Sequence, residues 1–595
     1  DDNGTLNEKC EIPKFVGQDR FVVRKQIIKD LKAADHLVKE EEFVTRIGRS
    51  ERTNTVIEPK LSLQWFLKMK EISSKAYQAV EKDEIKLHPA KFKNTYRHWM
   101  ENVRDWCVSR QLWWGHRIPA YFYGDGDEDF VVAESLDEAI LLASKKSGRK
   151  LTATDLHQDP DVLDTWASSW LWPIEVFHGF NDQYYDKANG KVDRTHNADL
   201  RYFYPTQVLV TAPEILFFWV ARMIIAGYEY MDEKPFEDVY LTGIVRDKQG
   251  RKMSKSLGNS PDPLDLINKY GADGVRTGML FSSPAGNDLL FDEKLCEQGR
   301  NFANKIWNAF RLVKGWETKE MVAPEENQVA MAWFESRINQ CMHELQDHYA
   351  KFRISDALLS TYKMVWDDFC AWYLEMIKPP FGEAIDKTTY DKTVGYFESI
   401  LKLLHPFMPF ITEELWHELD GKKQDDCIIV AAYPQPAAFD NKIVEQGAFA
   451  FEVITQIRNI RNTKGISPKE AIRLIVSDAG RNKTSPFVSI IKKLSNITEV
   501  SFTNDKPSNG AVFIVQSIEF FVPMEGKVDI AKECETITKE LEYTKGFLNS
   551  VMKKLGNEKF VNGAPPAVLE AERKKKADAE SKIAVLEENL KSLGC

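Results

Sequence analysis

The apolar positions of this chain change their period along its length. Between residues 204 and 245 they come in short β-branched blocks: Tyr204 to Thr211, which predicts a buried strand, and Val239 to Val245, which predicts a strand buried on both faces. From Gln298 to about residue 475 the pattern is helical; Phe369, Trp372, Tyr373 and Met376, at i, i+3, i+4 and i+7, form one such core-facing stripe. From Ile530 the pattern narrows to a seam. Ile530, Cys534, Ile537, Leu541, Thr544, Leu548, Val551 and Leu555 alternate steps of four and three, and Leu569, Ala579, Ile583, Leu586, Leu590 and Leu593 align on a second helix. Asn562-Gly563-Ala564-Pro565-Pro566 lies between the two runs, so together they predict an antiparallel two-helix arm.

Punctuation residues sharpen several elements. Asp262 as N-cap, Pro263 at the first helical position and Gly271 as stop predict a helix from 263 to 270. Thr211-x-x-Glu214 reads as a capping box that starts a helix directly at the carboxyl end of the strand before it. Trp99, Val103, Trp106, Cys107 and Arg110 fall at helical spacing. The first 60 residues mix turn signals, a helix over about Arg20–Lys32 and short strands ending near Ile57.

Between the strand ending at Val245 and the helix starting at Pro263 lies a polar loop that carries Arg251, Lys252 and Lys255 among small residues. Strand, basic loop and helix in that order present phosphate-binding groups at the carboxyl end of an α/β sheet. Two lysines on a loop that closes over a triphosphate act mainly on the charge that develops as pyrophosphate departs. The short serines allow close approach. The plainer reading of the same residues is a solvated basic loop.

Composition narrows the class. Apolar residues make up 43% and charged residues 29%, ordinary for a globular chain that buries more than one core, and 595 residues suggest about four domains. Glu214 and Arg222 interrupt the run Ala212–Gly227, so no membrane span is expected. Eight cysteines without a C-x-x-C pair argue against a disulfide framework or zinc knuckle, and a reducing cytoplasm is expected. No H-E-x-x-H occurs and no metal site is expected. A net charge of −10 means that any contact with nucleic acid must come from local basic faces.

Lys252-Met253-Ser254-Lys255-Ser256 is similar to the KMSKS signature of the class I aminoacyl-tRNA synthetases. Further stretches resemble the valine-specific branch of class Ia: the segment Ser109–Pro119, Asp161–Pro173, Ala212–Arg222, and EKFVNGAPPAVLEAE in the arm; FCAWYLEMIKP from Phe369 and HPFMPFITEELW from His405 resemble the helical anticodon-binding domain of class Ia synthetases. The resemblance implies ATP with Mg²⁺ as a substrate, bound by Lys252, Met253, Ser254, Lys255 and Ser256, with the two lysines catalytic. It implies a valine pocket lined by Trp166, Ile215 and Trp219, and tRNA(Val) as partner. Three tryptophans between Trp166 and Trp172 ordinarily mean core, and Trp219 could be no more than that. The family more often has Gly and Asp where this chain has Ala212 and Glu214. His116 is expected to be a hydrogen-bonded structural residue, and His405 a packed one.

The resemblance implies five parts: 1–60, the tail of an editing domain; 61–300, a partial Rossmann-like α/β catalytic domain with connective insertions; 301–475, a helical anticodon-binding bundle; 476–525, a small mixed segment; and 526–595, the coiled-coil tRNA-binding arm. Lys294, Lys305 and Arg311 on the bundle, and Arg573, Lys574 and Lys575 on the arm, are the expected tRNA contacts. The chain begins with Asp in what reads as mid-domain, so a piece of a longer protein is expected, with the HIGH motif and most of the editing domain upstream. The implied activity is ATP-dependent activation of valine and its transfer to tRNA, with editing of threonine, by a cytoplasmic monomer. Isoleucine or leucine specificity, or a non-catalytic tRNA-binding paralogue, are the alternatives.

Overall fold

A computed structural model of the chain describes residues 1, 3–50, 53–59, 61–126, 128–254, 257–419, 421–423, 425–503, 505, 510–524, 530–557, 560, 565–593 and 595. It divides into two compact units, Asp1–Phe66 with Cys107–Ser109, and Leu67–Trp106 with Arg110–Cys595.

In the first unit, the helix Arg20–Ala33 starts where the Asp19 carboxylate accepts from the Phe21 and Val22 amides. Phe15 and Val23 are its buried apolar side chains. The strands expected before Ile57 are absent among the described residues. The bridges Thr5–Asp19 and Arg49–Val56 stand in their place, because too few apolar side chains alternate there to bury one face of a sheet.

The second unit contains a parallel three-stranded sheet: β1 (Lys86–His88), β2 (Thr206–Thr211) and β3 (Phe236–Leu241), with β3 in the middle. Phe236, Val239 and Leu241 are buried, as the apolar block predicts for a central strand. β2 is an edge strand, and Val208 and Val210 are exposed at 41% and 59%, so the expectation of a buried strand does not hold there. The block read as one strand to Val245 is broken at Thr242-Gly243-Ile244. It continues as β4 (Val245–Arg246), which pairs in parallel with β5 (Leu289–Leu290). Gly243 marks a close approach: a Cβ there would stand 1.7 Å from the Asn287 carbonyl oxygen. The spacing of Trp99 to Arg110 also misleads. The helix is Lys91–Glu101, and Trp106 is a buried residue beyond its end, after the turn at Asn102.

Helices Glu293–Lys314, Glu325–Ala350, Ile354–Lys363, Lys387–Leu404, Pro409–His417 and Asn441–Lys464 build a bundle around a continuous apolar core. The stripe from Phe369 to Met376 lies inside it, with Phe369, Tyr373 and Met376 buried and Trp372 packed against them. A four-stranded mixed sheet closes on the same core. The arm consists of helices Ile530–Leu555 and Pro566–Leu593, tied by Lys545–Glu587 and Lys582–Glu540 ion pairs. Leu541, Thr544, Val551, Ala579 and Leu586 are buried along the seam. Cys534 and Cys595 form one disulfide, their Cα atoms 6.3 Å apart. Spacing in sequence could not show this pair, since the antiparallel return of the second helix is what brings the two together. No described helix is long and apolar enough to cross a membrane.

Candidate active site

β2 and β3 are in register from Thr206 opposite Phe236 to Thr211 opposite Leu241, so both strands end at one level. The amide of Thr242 donates to the Thr211 carbonyl at 2.9 Å and ties the two exits together. From Thr211 the chain enters a 3₁₀ turn, Pro213–Ile215, then a π-helical stretch, Leu216–Val220, and an α-helix, Ala221–Tyr230. The capping box does not form. Ala212 occupies the N-cap position and no side chain caps this turn, because Thr211 is still committed to the strand pair and Pro213 sets a tighter first turn.

Glu214 has another partner. Its carboxylate accepts from the Lys252 Nζ at 3.1 and 3.3 Å, which ties Lys252 of the basic loop to the residue before Ile215. Opposite this turn lies the short helix Trp166–Ser169. Trp219 Nε1 donates to the Ser169 carbonyl at 2.9 Å, and the Trp166 and Phe218 rings stack with centroids 6.0 Å apart. Trp166, Ile215 and Trp219 are all half-buried. The turn that leaves β2 thus holds Lys252 through Glu214 and, a few residues on, meets the Trp166–Ser169 helix through Phe218 and Trp219. Met253 and Ser254 follow Lys252 in the loop; Lys255 and Ser256 lie outside the described residues.

The basic loop is more ordered at its root than its composition suggests. Arg246 bridges Lys252 across a turn in which the Gly250 amide donates to the Asp247 carbonyl at 2.9 Å. The Asp247 carboxylate accepts from Asn259 Nδ2, from the Gln249 and Arg251 amides and from Arg251 Nε, at 2.8–3.0 Å. The Asn259 bond above all, with the Arg251 bonds behind it, depresses the Asp247 pKa to about 2. Asn259 also accepts from the Ser254 amide at 2.9 Å, bracing the loop from its far side. Arg246 pairs with Asp288, which anchors the root to the segment after Gly286.

The segment Arg110–Ile118 supports Trp166. Ile118 donates its amide to the Asp161 carbonyl, Leu163 to the His116 carbonyl, and Gln111 its side chain to Asp161. The His116 side chain is exposed rather than packed. His405 is packed as expected: its Nδ1 lies 2.7 Å from the Thr412 hydroxyl, and burial lowers its pKa. Among the described residues, no group of three or more His, Cys, Asp or Glu could hold a metal ion.

The expected nucleic-acid contacts are scattered. Lys294 is exposed in the first turn of Glu293–Lys314, while Lys305, on the same face about three turns on, lies over the Trp366 ring at 5.5 Å. Arg311 is exposed near that helix's end. On the arm, Arg573, Lys574 and Lys575 are exposed, and Lys575 pairs with Glu572 at 2.6 Å.

Several groups at the site carry no motif. Asp247, Asn259 and Asp288 organise the loop, and only the turn signal of Asp247 through Gly250 hinted at the first. Arg222 had a signal of another kind, since a lone arginine in the apolar run 212–227 requires a buried partner. That partner is Asp164.

A family model described as tRNA synthetases class I (I, L, M and V) matches residues 27–292. The anticodon-binding domain of tRNA ligase matches 331–476, and the valyl tRNA synthetase tRNA binding arm matches 529–594. The chain belongs to the class I aminoacyl-tRNA synthetases, in their valine–tRNA ligase branch. A valine–tRNA ligase of Christiangramia forsetii is 54% identical over 594 residues, covering 100% of this chain and 66% of the relative. One of Phocaeicola vulgatus is 53% identical over 593 residues, with the same coverage. The chain thus spans about two thirds of the length of these relatives.

Proposed function

We propose that the full-length protein is a valine–tRNA ligase that condenses valine with ATP to valyl-adenylate and passes the valyl group to the terminal ribose of tRNA(Val). The observation that carries the reading is the approach of Lys252 to Glu214, on the same turn whose Phe218 stacks on Trp166. A phosphate-seeking cation and an aromatic-walled apolar surface then serve one reaction centre.

In this reading Trp166, Ile215 and Trp219 receive the β-branched side chain of valine. Rigid indoles limit the space on two sides. An apolar pocket separates side chains differing by one methylene by only about 1–3 kcal/mol and rejects a hydroxyl isostere such as threonine poorly, so editing is the expected companion activity. ATP arrives as its Mg²⁺ complex. Lys252 and Lys255 stabilise the charge that accumulates on pyrophosphate as the valine carboxylate attacks the α-phosphorus, with Met253, Ser254 and Ser256 shaping the loop around the triphosphate. Proximity and charge stabilisation suffice, and no covalent enzyme intermediate forms. Arg573, Lys574 and Lys575 on the arm, and Lys294, Lys305 and Arg311 on the bundle, contact tRNA phosphates.

The deciding experiment is ATP–pyrophosphate exchange with the full-length protein, run separately with valine, isoleucine and leucine. Exchange driven by valine is expected; preference for another amino acid, or no exchange with any, overturns the reading.

Glu214 adds a second expectation. Triphosphate must displace its carboxylate from Lys252, and an exposed pair of this kind is worth at most about 1 kcal/mol. Glu214→Gln should therefore lower the KM for ATP by about two- to fivefold and leave that for valine unchanged, as measured by exchange at varied ATP.

A further inference from the structure

Behind the expected valine pocket lies a compact cluster of charges and aromatic rings that no motif marks. Asp164 is buried. Its Oδ2 accepts from Trp106 Nε1 at 2.9 Å and from Arg110 at 2.8 Å, and stands 3.7 Å from Arg222 Nη1. Its Oδ1 accepts from the Trp166 amide at 3.4 Å. The Arg222 guanidinium lies over the Trp106 indole, its Cζ 3.5 Å from the ring centre. It also reaches the Phe218 carbonyl at 3.4 Å, and the Phe218 ring stacks on Trp166.

Three polypeptide segments meet at this cluster, 106–110, 164–166 and 218–222. Asp164 sits two residues before Trp166, and Arg222 three residues after Trp219 on the helix that follows the π-helical turn. Burial pulls the Arg222 pKa down to about 10, with Asp164 opposing that shift and Arg110 adding to it. A charge placed at such cost is kept for geometry, since an apolar side chain of similar volume would fill the space more favourably. Its Nε is buried without a partner, so the guanidinium is held by stacking and by Asp164 rather than by a saturated set of hydrogen bonds.

We propose that Arg222 and Asp164 are positioning residues that set the separation between Trp166 and Trp219, and thereby which side chain the pocket admits. The inference rests on the valine-ligase reading above. Neither group touches the amino acid. Asp164 fixes the start of the turn bearing Trp166, and Arg222, clamped between Asp164 and the Trp106 ring, fixes the helix bearing Trp219. Relaxing the clamp lets the two walls move apart. Lysine cannot replace the arginine fully, because a compact ammonium lacks the planar face that stacks on the indole.

The test is ATP–pyrophosphate exchange with the full-length protein and its Arg222→Met, Arg222→Lys and Asp164→Asn variants, each with valine and isoleucine at varied concentration. Arg222→Met should raise the KM for valine about tenfold with kcat and the KM for ATP changed less than twofold, and should narrow the preference for valine over isoleucine by about tenfold. Arg222→Lys and Asp164→Asn should shift the same two quantities about threefold. Unchanged valine KM and unchanged preference in the variants, whatever happens to their melting temperatures, overturn the proposal. If Arg222→Met does not fold, the lysine and asparagine variants decide by the same criteria. A wild-type protein that activates another amino acid would refute the ligase reading instead, and that outcome is visible before any variant is compared.

Discussion

Lys255→Ala in the full-length protein should slow valyl-adenylate formation by about 10²–10³-fold while valine affinity stays within about twofold. The reason is differential binding. A lysine that meets the triphosphate chiefly as negative charge gathers on the departing pyrophosphate contributes little to the ground state and much to the transition state. Lys252→Ala should show the same signature with a smaller loss in kcat, because Lys252 has a competing carboxylate in Glu214. Pre-steady-state adenylate formation alongside equilibrium valine binding checks both variants. Equal losses in rate and in valine affinity would remove the lysines from the role assigned to them.

Gly243→Ala should be the most damaging substitution outside the loop. The new methyl carbon would stand 1.7 Å from the Asn287 carbonyl oxygen, far inside any tolerated contact, and that oxygen belongs to backbone that cannot swing aside. The segments 242–246 and 287–291 would have to separate. Their separation breaks the β4–β5 pairing, the Leu289 amide to Ile244 carbonyl bond at 2.9 Å and the anchorage of Arg246 on Asp288. The expected cost is about 3 kcal/mol or more, at the upper end for overpacking. Limited proteolysis within 246–260 should then run at least about tenfold faster, since cleavage follows the population of the opened segment. An unchanged proteolysis rate would mean that the two segments can part without loss of the loop's root.

The amount of this structure that could be read in advance varies with the range of the interactions involved. The helix Pro263–Tyr270 with its Asp262 cap appears where Asp262, Pro263 and Gly271 place it. The seam residues Leu541, Val551 and Leu586 are buried as their spacing requires. Such features depend on backbone geometry within a few turns, and residue type alone carries that information. Errors came where a local pattern competed with a distant partner. Trp106 shares a helical period with Trp99, yet its indole donates to Asp164. Glu214 stands at a capping-box offset, yet its carboxylate holds Lys252. Val208 and Val210 are as apolar as a central strand, yet lie at a sheet edge.

The residue string is enough to establish the family resemblance, the helical bundle, the two-helix arm and the basic loop, because motif spelling and periodicity are properties of neighbouring residues. It is silent on the meeting of Lys252 with Glu214, on the clamp that Arg222 and Asp164 form with Trp106, and on the contact that excludes a side chain at Gly243. Those depend on segments tens of residues apart arriving at the same few ångströms, and each contact exists only because the sheet, the π-helical turn and the loop are already folded around it.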